Sequence, residues 1–376
     1  MSPWVYGIGS SRFGRQPDAE VADLAARAGL DALRDAGVDR VDAVYVGTVF
    51  GEMGAAQRVT HRLGLHGVPV VRIENACASS TTALHEAAAA VAAGRYRTVL
   101  ALGVEHMSRL PKGPLPPEPR DPHGRAGLLL PALYAMAATR YLETTPLTRA
   151  DLAAVAVKNH GNALANPLAE FGARLSVDEV LAAKTIAEPL TLHQCSPISD
   201  GAAAAVVGVH RGHERDVEIA GTELRSGAPW DSRSPHVWGF DVVRDTARAA
   251  YATAGIGPDD VDLVECHDAF TIGEVTTTES LGLADVGEGY RLVRDGVTAV
   301  DGKTPVNPSG GLLGRGHPLG ATGLGQVYEV VTQLRHEAGE RQVAHARTGV
   351  VETMGGGVTG IDGNACVVVV FRGRDR

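Results

Sequence analysis

Short apolar blocks along the chain predict strands and helices in alternation. Trp4 to Ile8 predicts a first strand, and residues 19–36 place apolar side chains at helical spacing before a stop at Gly37. Residues 41–49 predict a second strand. The alternation continues through a helix at 57–63, a short buried strand at 70–73, a helix from residue 80 and a strand at 98–105. This pattern is typical of a layered α/β fold.

A proline-rich stretch from Met107 to Pro131 interrupts the alternation, and its lack of periodicity predicts an extended surface loop. Helical patterns return at 132–143, 149–164 and 177–184, with Pro146 and Thr148 as start signals for the second. An insertion between two strands of a core sheet is a natural place for a substrate lid. We therefore expect residues 107–190 to form a substrate-binding lobe.

An internal repeat divides the chain in two. Residues 25–46 resemble residues 246–266, since each is an alanine-rich helix, a glycine stop and a strand opened by Val-Asp. We predict two copies of one α/β layer, at 1–210 and 211–376. The loop at Cys77 corresponds to the loop at His317, so packing about a pseudo-twofold axis would bring these side chains together.

Composition narrows the function classes. The 376 residues carry 35 basic and 44 acidic side chains, a formal charge of -9 that argues against a nucleic-acid surface. The four cysteines lack paired metal spacing, so we expect free thiols in a reducing compartment. The amino terminus lacks the pattern of a secretory signal, and no apolar run reaches spanning length. We expect a cytoplasmic protein.

Cys77 is the candidate nucleophile, because it lies where a strand turns into a helix. The helix N-terminus favours thiolate over thiol and can hold an oxyanion. A small buried packing cysteine is the alternative interpretation. His317 favours the functional one, since the glycine-rich loop around it fixes its backbone. Two further loops, at His267 and at Gly355, carry polar or glycine residues that could join the same site.

These motifs resemble the thiolase superfamily. They are Asn75-Ala-Cys-Ala-Ser-Ser, His267-Asp-Ala-Phe, Asn307-Pro-Ser-Gly-Gly with Gly316-His-Pro-Leu-Gly-Ala-Thr-Gly, and Met354-Gly-Gly-Gly. The His-Asp-Ala-Phe form is most similar to the sterol-carrier-protein-X-type thiolases. The resemblance implies a five-layered αβαβα fold with an inserted loop lobe, a homodimer, and a coenzyme A thioester as substrate without a permanently bound cofactor or metal. It also implies a small zinc-ribbon and OB-fold partner protein.

The resemblance assigns roles to four residues. Cys77 would take the acyl group from a thioester, and His317 would activate it as a base. His267 and His317 would hold the thioester oxygen of the second substrate. The acyl-enzyme oxyanion would lie against backbone N–H groups of Cys77 and Gly355.

Substrate contacts are predicted outside this group as well. Asn307 belongs to a matching motif and is expected to contact substrate. The phosphates of coenzyme A could meet cationic side chains of the proline-rich loop, although solvated loop charges are an equal alternative. These cations are Arg109, Lys112, Arg120 and Arg125.

The chain departs from the family pattern at the second cysteine, which acts as acid and base in thiolases. The two positions where it occurs hold Thr353 and Ala269, and neither supplies a tuned thiol. Cys266 is expected to point away from His267, and Cys195 and Cys366 are expected to be packing residues. Acyl transfer to a carbon nucleophile therefore stands beside transfer to oxygen or nitrogen, retro-aldol cleavage with a partner subunit, and a non-catalytic subunit.

Overall fold

The computed structural model describes residues 2–111, 113–115 and 120–374. Its strands are β1 (Pro3–Ser10), β2 (Ala43–Gly47), β3 (Val70–Ile73), β4 (Thr98–His106), β5 (Thr185–Ala187), β6 (Leu190–Thr191), β7 (Asp200–Val209), β8 (Val217–Arg225), β9 (Leu263–Glu265), β10 (Thr348–Gly355) and β11 (Ala365–Arg372). Its α-helices are α1 (Val21–Ala36), α2 (Ala55–Arg62), α3 (Ser79–Ala92), α4 (Pro122–Arg125), α5 (Leu130–Thr144), α6 (Arg149–Ala163), α7 (Val177–Ala182), α8 (Phe240–Ala254), α9 (Thr271–Ser280), α10 (Gly289–Arg294), α11 (Gly311–Arg315) and α12 (Thr322–Leu334).

The main sheet has the same strand pattern on either side of its centre. Its order is β3-β2-β4-β7-β1-β8-β11-β10-β9, and β1 meets β8 through two residue pairs. Outward from this junction each side has two antiparallel pairings and then a parallel one. The repeated segments of the sequence become α1 with β2 and α8 with β9, which occupy equivalent places. The predicted boundary at residue 210 falls between β7 and β8 and stays a prediction.

The two halves of the sheet form two layers, and helices lie between them and on their outer faces, which gives five layers. Helices α1 and α2 cover the outer face of the first half, and α8 and α9 cover that of the second. Helices α3 and α12 lie in the middle, where their apolar faces pack against strands of both halves. The layered α/β fold predicted from the alternation is therefore confirmed.

Small residues allow the central layer to pack closely. A Cβ added at Gly47 would lie 2.7 Å from the Ser79 backbone, and one at Gly103 would lie 2.3 Å from the Gly320 carbonyl oxygen. The loop before α12 and the start of α3 therefore rest directly on β2 and β4. This contact places the loops that precede the two central helices side by side.

The inserted lobe forms helices at the predicted places. Thr148 begins α6 as predicted, with its hydroxyl accepting a hydrogen bond from the Asp151 backbone N–H in a capping box. Helix α6 packs against α11, because Gly310 and Gly314 leave room for Ala163. The stretch from residue 107 to 131 is less extended than predicted, since it includes a 3-10 turn at Met107–Arg109 and the short α4.

Strand β3 corrects one prediction. Its apolar residues predicted a buried strand, but β3 lies at an edge of the sheet and Val71 is 43% exposed. A four-residue apolar run indicates a strand without showing whether neighbours flank it on one side or two. Across the described ranges, no helix is long and apolar enough to cross a membrane.

We expect Gly103→Ala to destabilise the fold by about 1–3 kcal/mol, because its Cβ would overlap the Gly320 carbonyl and the Ser80 side chain. Gly161→Ala is the matched control, since its Cβ meets nothing within 4 Å and α6 gains helix propensity. Urea unfolding of both variants tests this. Equal stability of the two variants would contradict the proposed close packing.

Candidate active site

Cys77 lies in the turn between β3 and α3, as predicted. The turn is tight, since the Ala78 N–H donates to the Asn75 carbonyl at 3.0 Å and Ala76 adopts a positive φ of 47°. Such a conformation is unusual for a residue with a Cβ and is often found at functional positions. The side chain of Cys77 is 7% exposed and lines a cavity.

Burial controls the protonation state of Cys77. Desolvation raises the pKa of the thiol to about 12, and the residue's own backbone N–H opposes this only in part. The negative charges of Glu105 and Glu74 raise the pKa further. The structure thus corrects the expectation of a resting thiolate. At neutral pH Cys77 is a thiol, and it needs a base to become a nucleophile.

His267 and His317 lie beside Cys77. The sulfur and one ring nitrogen from each histidine all lie within 4.8 Å of one another, and all three residues are buried. The two imidazole rings are 5.2 Å apart and nearly perpendicular, at 76°. Sulfur and imidazole nitrogen are also zinc ligands by type. The geometry confirms the predicted approach of the Cys77 and His317 loops.

His317 is held as a neutral base. Its Nδ1 is 2.7 Å from the Thr322 hydroxyl, which itself donates to the Pro318 carbonyl oxygen at 2.9 Å. Because the hydroxyl has only one proton, we assign the shared proton to Nδ1, which leaves the lone pair on Nε2. Burial and the neighbouring His267 hold the pKa of His317 well below its usual range.

The backbone at His317 is fixed from both sides. Its N–H donates to the Ser199 hydroxyl at 3.0 Å, and a Cβ at Gly316, where φ is 111°, would lie 2.8 Å from the same oxygen. Glycine is therefore required at position 316. Ser199 directly precedes β7, so the first half of the chain positions His317 of the second half.

His267 follows β9 and carries an unsatisfied ring nitrogen. Burial lowers the pKa of His267 to about 3, so the ring is neutral at physiological pH. Its Nδ1 is sealed from solvent and has no hydrogen-bond partner among the described residues. The His267 backbone N–H donates to the Glu352 carboxylate at 2.9 Å, which fixes the ring's position. The other ring nitrogen, Nε2, is not sealed in this way, and His267 lines the cavity.

Asp268 and Asn307 support the histidine loop from behind. Asp268 accepts the Leu312 N–H at 2.6 Å and the Asn159 side chain at 2.7 Å, which ties the loop to α11. Asn307 accepts the Cys266 N–H and donates to Glu274, both at 2.9 Å. Asn307 is fully buried and does not line the cavity. The structure therefore assigns Asn307 a positioning role instead of the predicted substrate contact.

The cavity over Cys77 has a volume of about 440 Å³ and a mostly apolar lining. The inserted lobe contributes much of it, including Met107, Leu130, Tyr134 and Phe171. The second half contributes Trp238 and Phe270. The lobe lies over the nucleophile, as expected of a lid.

The predicted coenzyme A cations lie away from this lining. Arg109 donates to Glu20 at 3.2 Å, and neither Arg120 nor Arg125 lines the cavity. Lys112 lies outside the described residues. The described lining contains no lysine or arginine, so these contacts with the phosphates stay predictions.

Neither position where thiolases carry the second cysteine holds a side chain that can act as a catalytic acid or base. The Thr353 hydroxyl is buried and donates to Gln326 at 2.6 Å, and Ala269 lines the cavity with a methyl group. Cys266 is buried against Asn307 and does not line the cavity, in agreement with the strand argument. Cys366 lies in the core strand β11 as predicted.

Cys195 corrects the expectation of a packing residue, because it lines the cavity. Its thiol donates to the Thr191 carbonyl at 3.3 Å, and burial raises the pKa of this thiol to about 12. No motif in the sequence indicates that Cys195 faces a cavity. The residue follows a short 3-10 turn, Leu192–Gln194, just after the lobe. Ser199, Thr322 and Glu352 were also missed, because their role depends on contacts with other loops.

Gly355 lies at the end of β10 next to the Cys77 turn. A Cβ at this position would lie 2.2 Å from the Asn75 carbonyl oxygen, so only glycine allows the two backbones to meet. This proximity fits the predicted oxyanion site between Cys77 and Gly355. That the backbone N–H groups of these two residues bind an oxyanion stays a prediction.

Two family models cover most of the chain. The model described as "Thiolase, N-terminal domain" matches residues 7–210, and "Thiolase C-terminal domain-like" matches residues 231–367. The chain belongs to the thiolase family. This membership confirms the prediction of a thiolase fold and of a thiolase-like acyltransferase.

Several relatives resemble this thiolase-family chain along its length. Acetyl-CoA acetyltransferase of Methanothermobacter thermautotrophicus is 40% identical over 94% of this chain and 96% of that protein. The benzoylsuccinyl-CoA thiolase subunit BbsB of Thauera aromatica is 37% identical over 94% of each. Human sterol carrier protein 2 is 36% identical over 99% of this chain and 73% of that protein.

Solved structures share the fold at lower identity. The Ltp2-ChsH2(DUF35) aldolase has a TM-score of 0.85 at 23% identity and covers 100% of this chain and 98% of that chain. Human mitochondrial 3-ketoacyl-CoA thiolase has a TM-score of 0.75 at 18% identity, and the match covers 100% of this chain and 99% of that chain.

We expect iodoacetamide to alkylate Cys77 slowly at pH 7, because a thiol with a pKa near 12 is almost wholly protonated there. The rate should rise about tenfold per pH unit up to at least pH 10. Mass spectrometry of the Cys77 peptide measures it, and N-acetylcysteine, whose rate should level off near pH 8.5–9, is the control. A plateau below pH 8 would contradict a buried thiol.

Proposed function

We propose that this enzyme forms an acyl-Cys77 intermediate from an acyl-CoA thioester and transfers the acyl group to a carbon nucleophile. The arrangement of the Cys77 thiol with two neutral imidazoles, within 4.8 Å of one another below an apolar cavity, carries this proposal. Enzymes that use a covalent intermediate need a nucleophile with a base in reach, and this group supplies both.

The first step moves one proton and exchanges one thioester for another. Nε2 of His317 takes the Cys77 proton while the sulfur attacks the thioester carbonyl carbon. The oxyanion is held by backbone N–H groups at Cys77 and Gly355, and it collapses as the carbon–sulfur bond to coenzyme A breaks. The coenzyme A thiolate leaves and takes the proton from His317.

In the second step the carbon nucleophile loses a proton to a histidine and attacks the acyl carbon. The acyl–sulfur bond breaks, and the Cys77 thiolate leaves and takes up that proton. His267 and His317, which both line the cavity, hold the thioester oxygen of this second substrate through ring N–H groups. Because the first step leaves Nε2 of His317 unprotonated, this nitrogen donates only after it has taken a proton. One of the two histidines handles the substrate proton, since Thr353 and Ala269 cannot. The names of the relatives, an acetyl-CoA acetyltransferase and a benzoylsuccinyl-CoA thiolase, support carbon–carbon bond formation or cleavage.

The missing second thiol favours a second candidate. Acyl transfer to oxygen or nitrogen needs no carbon acid, and retro-aldol cleavage with a partner subunit needs no acyl-enzyme. Retention of Cys77 with both histidines counts against a purely aldol reaction and against a non-catalytic subunit. The similar fold of the Ltp2-ChsH2(DUF35) aldolase, whose name includes a second component, supports the expected small partner.

Compartment and cofactor use stay proposals. The four free cysteines support a cytoplasmic location, where thiols remain reduced. We propose that coenzyme A enters as a substrate and that the enzyme keeps no permanent cofactor. Arg109, Lys112, Arg120 and Arg125 remain candidates for its phosphates.

We also propose a homodimer that forms along β3. This edge strand pairs only with β2 within the described residues, and it is followed closely by the Cys77 turn. Exposed apolar side chains lie on β3 at Val71 (43%) and in the loop after β2 at Phe50 (43%) and Met53 (93%). Arg72 of β3 donates to the Val49 and Glu52 carbonyls of that loop, so the loop lies beside the strand. An open edge with apolar neighbours is suited to pairing with another chain.

Sedimentation equilibrium is expected to give twice the mass of the chain. Val71→Lys should shift the protein toward monomer, because it places a charge within the edge. Val286→Lys is the matched control, since Val286 is 58% exposed outside this edge. A monomeric wild-type protein, or equal effects of both substitutions, would contradict the dimer.

Intact-protein mass spectrometry after incubation with a panel of acyl-CoA thioesters tests the acyl-enzyme. We expect a gain of one acyl group in the wild type, none in Cys77→Ala, and an unchanged gain in Cys195→Ala, whose thiol lines the same cavity. His317→Ala should slow acylation by about 10²–10⁴-fold, the usual contribution of a general base. An adduct that persists in Cys77→Ala would exclude the proposal.

A further inference from the structure

Tyr134 brings an unpaired hydroxyl to the catalytic cavity. This side chain extends from α5, is 8% exposed and lines the same cavity as Cys77. Throughout the part of the chain that the structure describes, no group hydrogen-bonds its hydroxyl. Its oxygen is also not one of the sealed polar atoms that lack a partner, so the hydroxyl reaches the cavity surface. Buried tyrosines usually satisfy this group.

Packing fixes the direction of the hydroxyl. The Tyr134 ring lies 4.5 Å from the Phe270 ring and 5.8 Å from the Trp238 ring, which it meets at 85°. Helix α9 also borders the ring, since a Cβ at Gly273 would lie in van der Waals contact with Tyr134 Cε1, at 3.5 Å. A ring confined in this way presents its hydroxyl at one place instead of sampling several.

Three neighbouring polar side chains of the lining already have hydrogen-bond partners, whereas His193 and Ser196 are partly exposed and have none among the described residues. Trp238 Nε1 donates to the Ile361 carbonyl at 3.0 Å, and the Cys195 thiol is bonded to Thr191. Both ring nitrogens of His160 face backbone carbonyls, at 3.1 and 3.3 Å. Tyr134 thus differs from them in having a rigid donor that no protein group uses.

The charge and burial around the Tyr134 hydroxyl determine which kind of group can bind to it. Burial, with smaller effects from Cys77 and Glu352, raises the pKa of Tyr134 above its ordinary value, so the phenol stays protonated and donates. A carboxylate partner would need a cation beside it, and the described lining has neither lysine nor arginine. An uncharged oxygen is the acceptor that this environment favours. The thioester carbonyl itself is already held at the Cys77 and histidine loops in the proposed mechanism.

We propose that the Tyr134 hydroxyl binds an uncharged oxygen carried by the acyl chain beyond C3, so that the preferred donors carry an oxo or hydroxy group at C4 or farther along the chain instead of a plain alkanoyl chain. This inference rests on the proposed function for the placement of the thioester at Cys77. The apolar lining selects the hydrocarbon part of the chain, and a buried donor discriminates strongly against an analogue that lacks the oxygen.

The test compares hexanoyl-CoA with six-carbon thioesters that carry an oxo group at C4 or C5; a C3 oxo group is left out because Cys77 could attack that carbonyl and cleave the chain. We expect the wild type to acylate about 10–100-fold faster with at least one oxo-thioester than with hexanoyl-CoA, as for a good hydrogen bond in a dry site. Tyr134→Phe keeps the ring and should reduce this preference to near unity, by slowing acylation with the oxo-thioester alone.

Tyr141→Phe is the matched control. It makes the same change on the same helix, but the Tyr141 hydroxyl donates to Glu279 at 2.7 Å and does not line the cavity. This variant should keep the wild-type preference. A wild type without preference for any oxo position, or a Tyr134→Phe variant that slows all thioesters equally, would overturn the inference.

Binding separates this inference from the proposed function. If no thioester acylates the wild type, the acyl-enzyme proposal fails, but calorimetry on Cys77→Ala still measures the dissociation constants of the same thioesters. Tighter binding of an oxo-thioester that is lost in the Cys77→Ala/Tyr134→Phe double variant would support the role of Tyr134. Equal binding of all thioesters to Cys77→Ala would overturn it.

Discussion

Removal of water from around Cys77, His267 and His317 is the constraint on which the rest of the site depends. Burial keeps the thiol protonated and both imidazoles neutral, so the resting site holds no charge that would need compensation. In the proposed reaction, charge develops only when a thioester reacts, beside the two imidazoles. In such a dry environment each of these contacts is stronger than it would be in water.

Buried carboxylates keep the catalytic loops in register. Glu105 accepts the backbone N–H groups of Val49, Phe50 and Gly320, which joins the loop after β2 to the loop after His317. Asp268 and Glu352 do the same for the histidine loop of the second half. Because each carboxylate accepts main-chain donors, the loops are positioned through their backbones, and their side chains remain available for chemistry.

The duplicated architecture explains why the site lies between the halves. Helices α3 and α12 share the central layer, and the loops that precede them carry Cys77 and His317. Neither half could enclose these loops alone, since Ser199 of the first half holds the His317 backbone and Gly355 of the second half touches the Cys77 turn. The inserted lobe then covers the pair and excludes solvent. Cys77 and His317 therefore come together only in the folded chain.

The sequence by itself determined the α/β layers, the repeat and the choice of Cys77, His267 and His317 as candidate site residues, because hydrophobic period and glycine-bounded motifs are local properties. It could not determine the protonation state of Cys77, since desolvation by the whole fold outweighs the helix terminus. The edge position of β3, the inward placement of Cys195 and the supporting role of Asn307 likewise depend on which distant segments pack beside them. The unpaired hydroxyl of Tyr134 belongs to the same class, because only the tertiary structure shows which polar groups have found a partner.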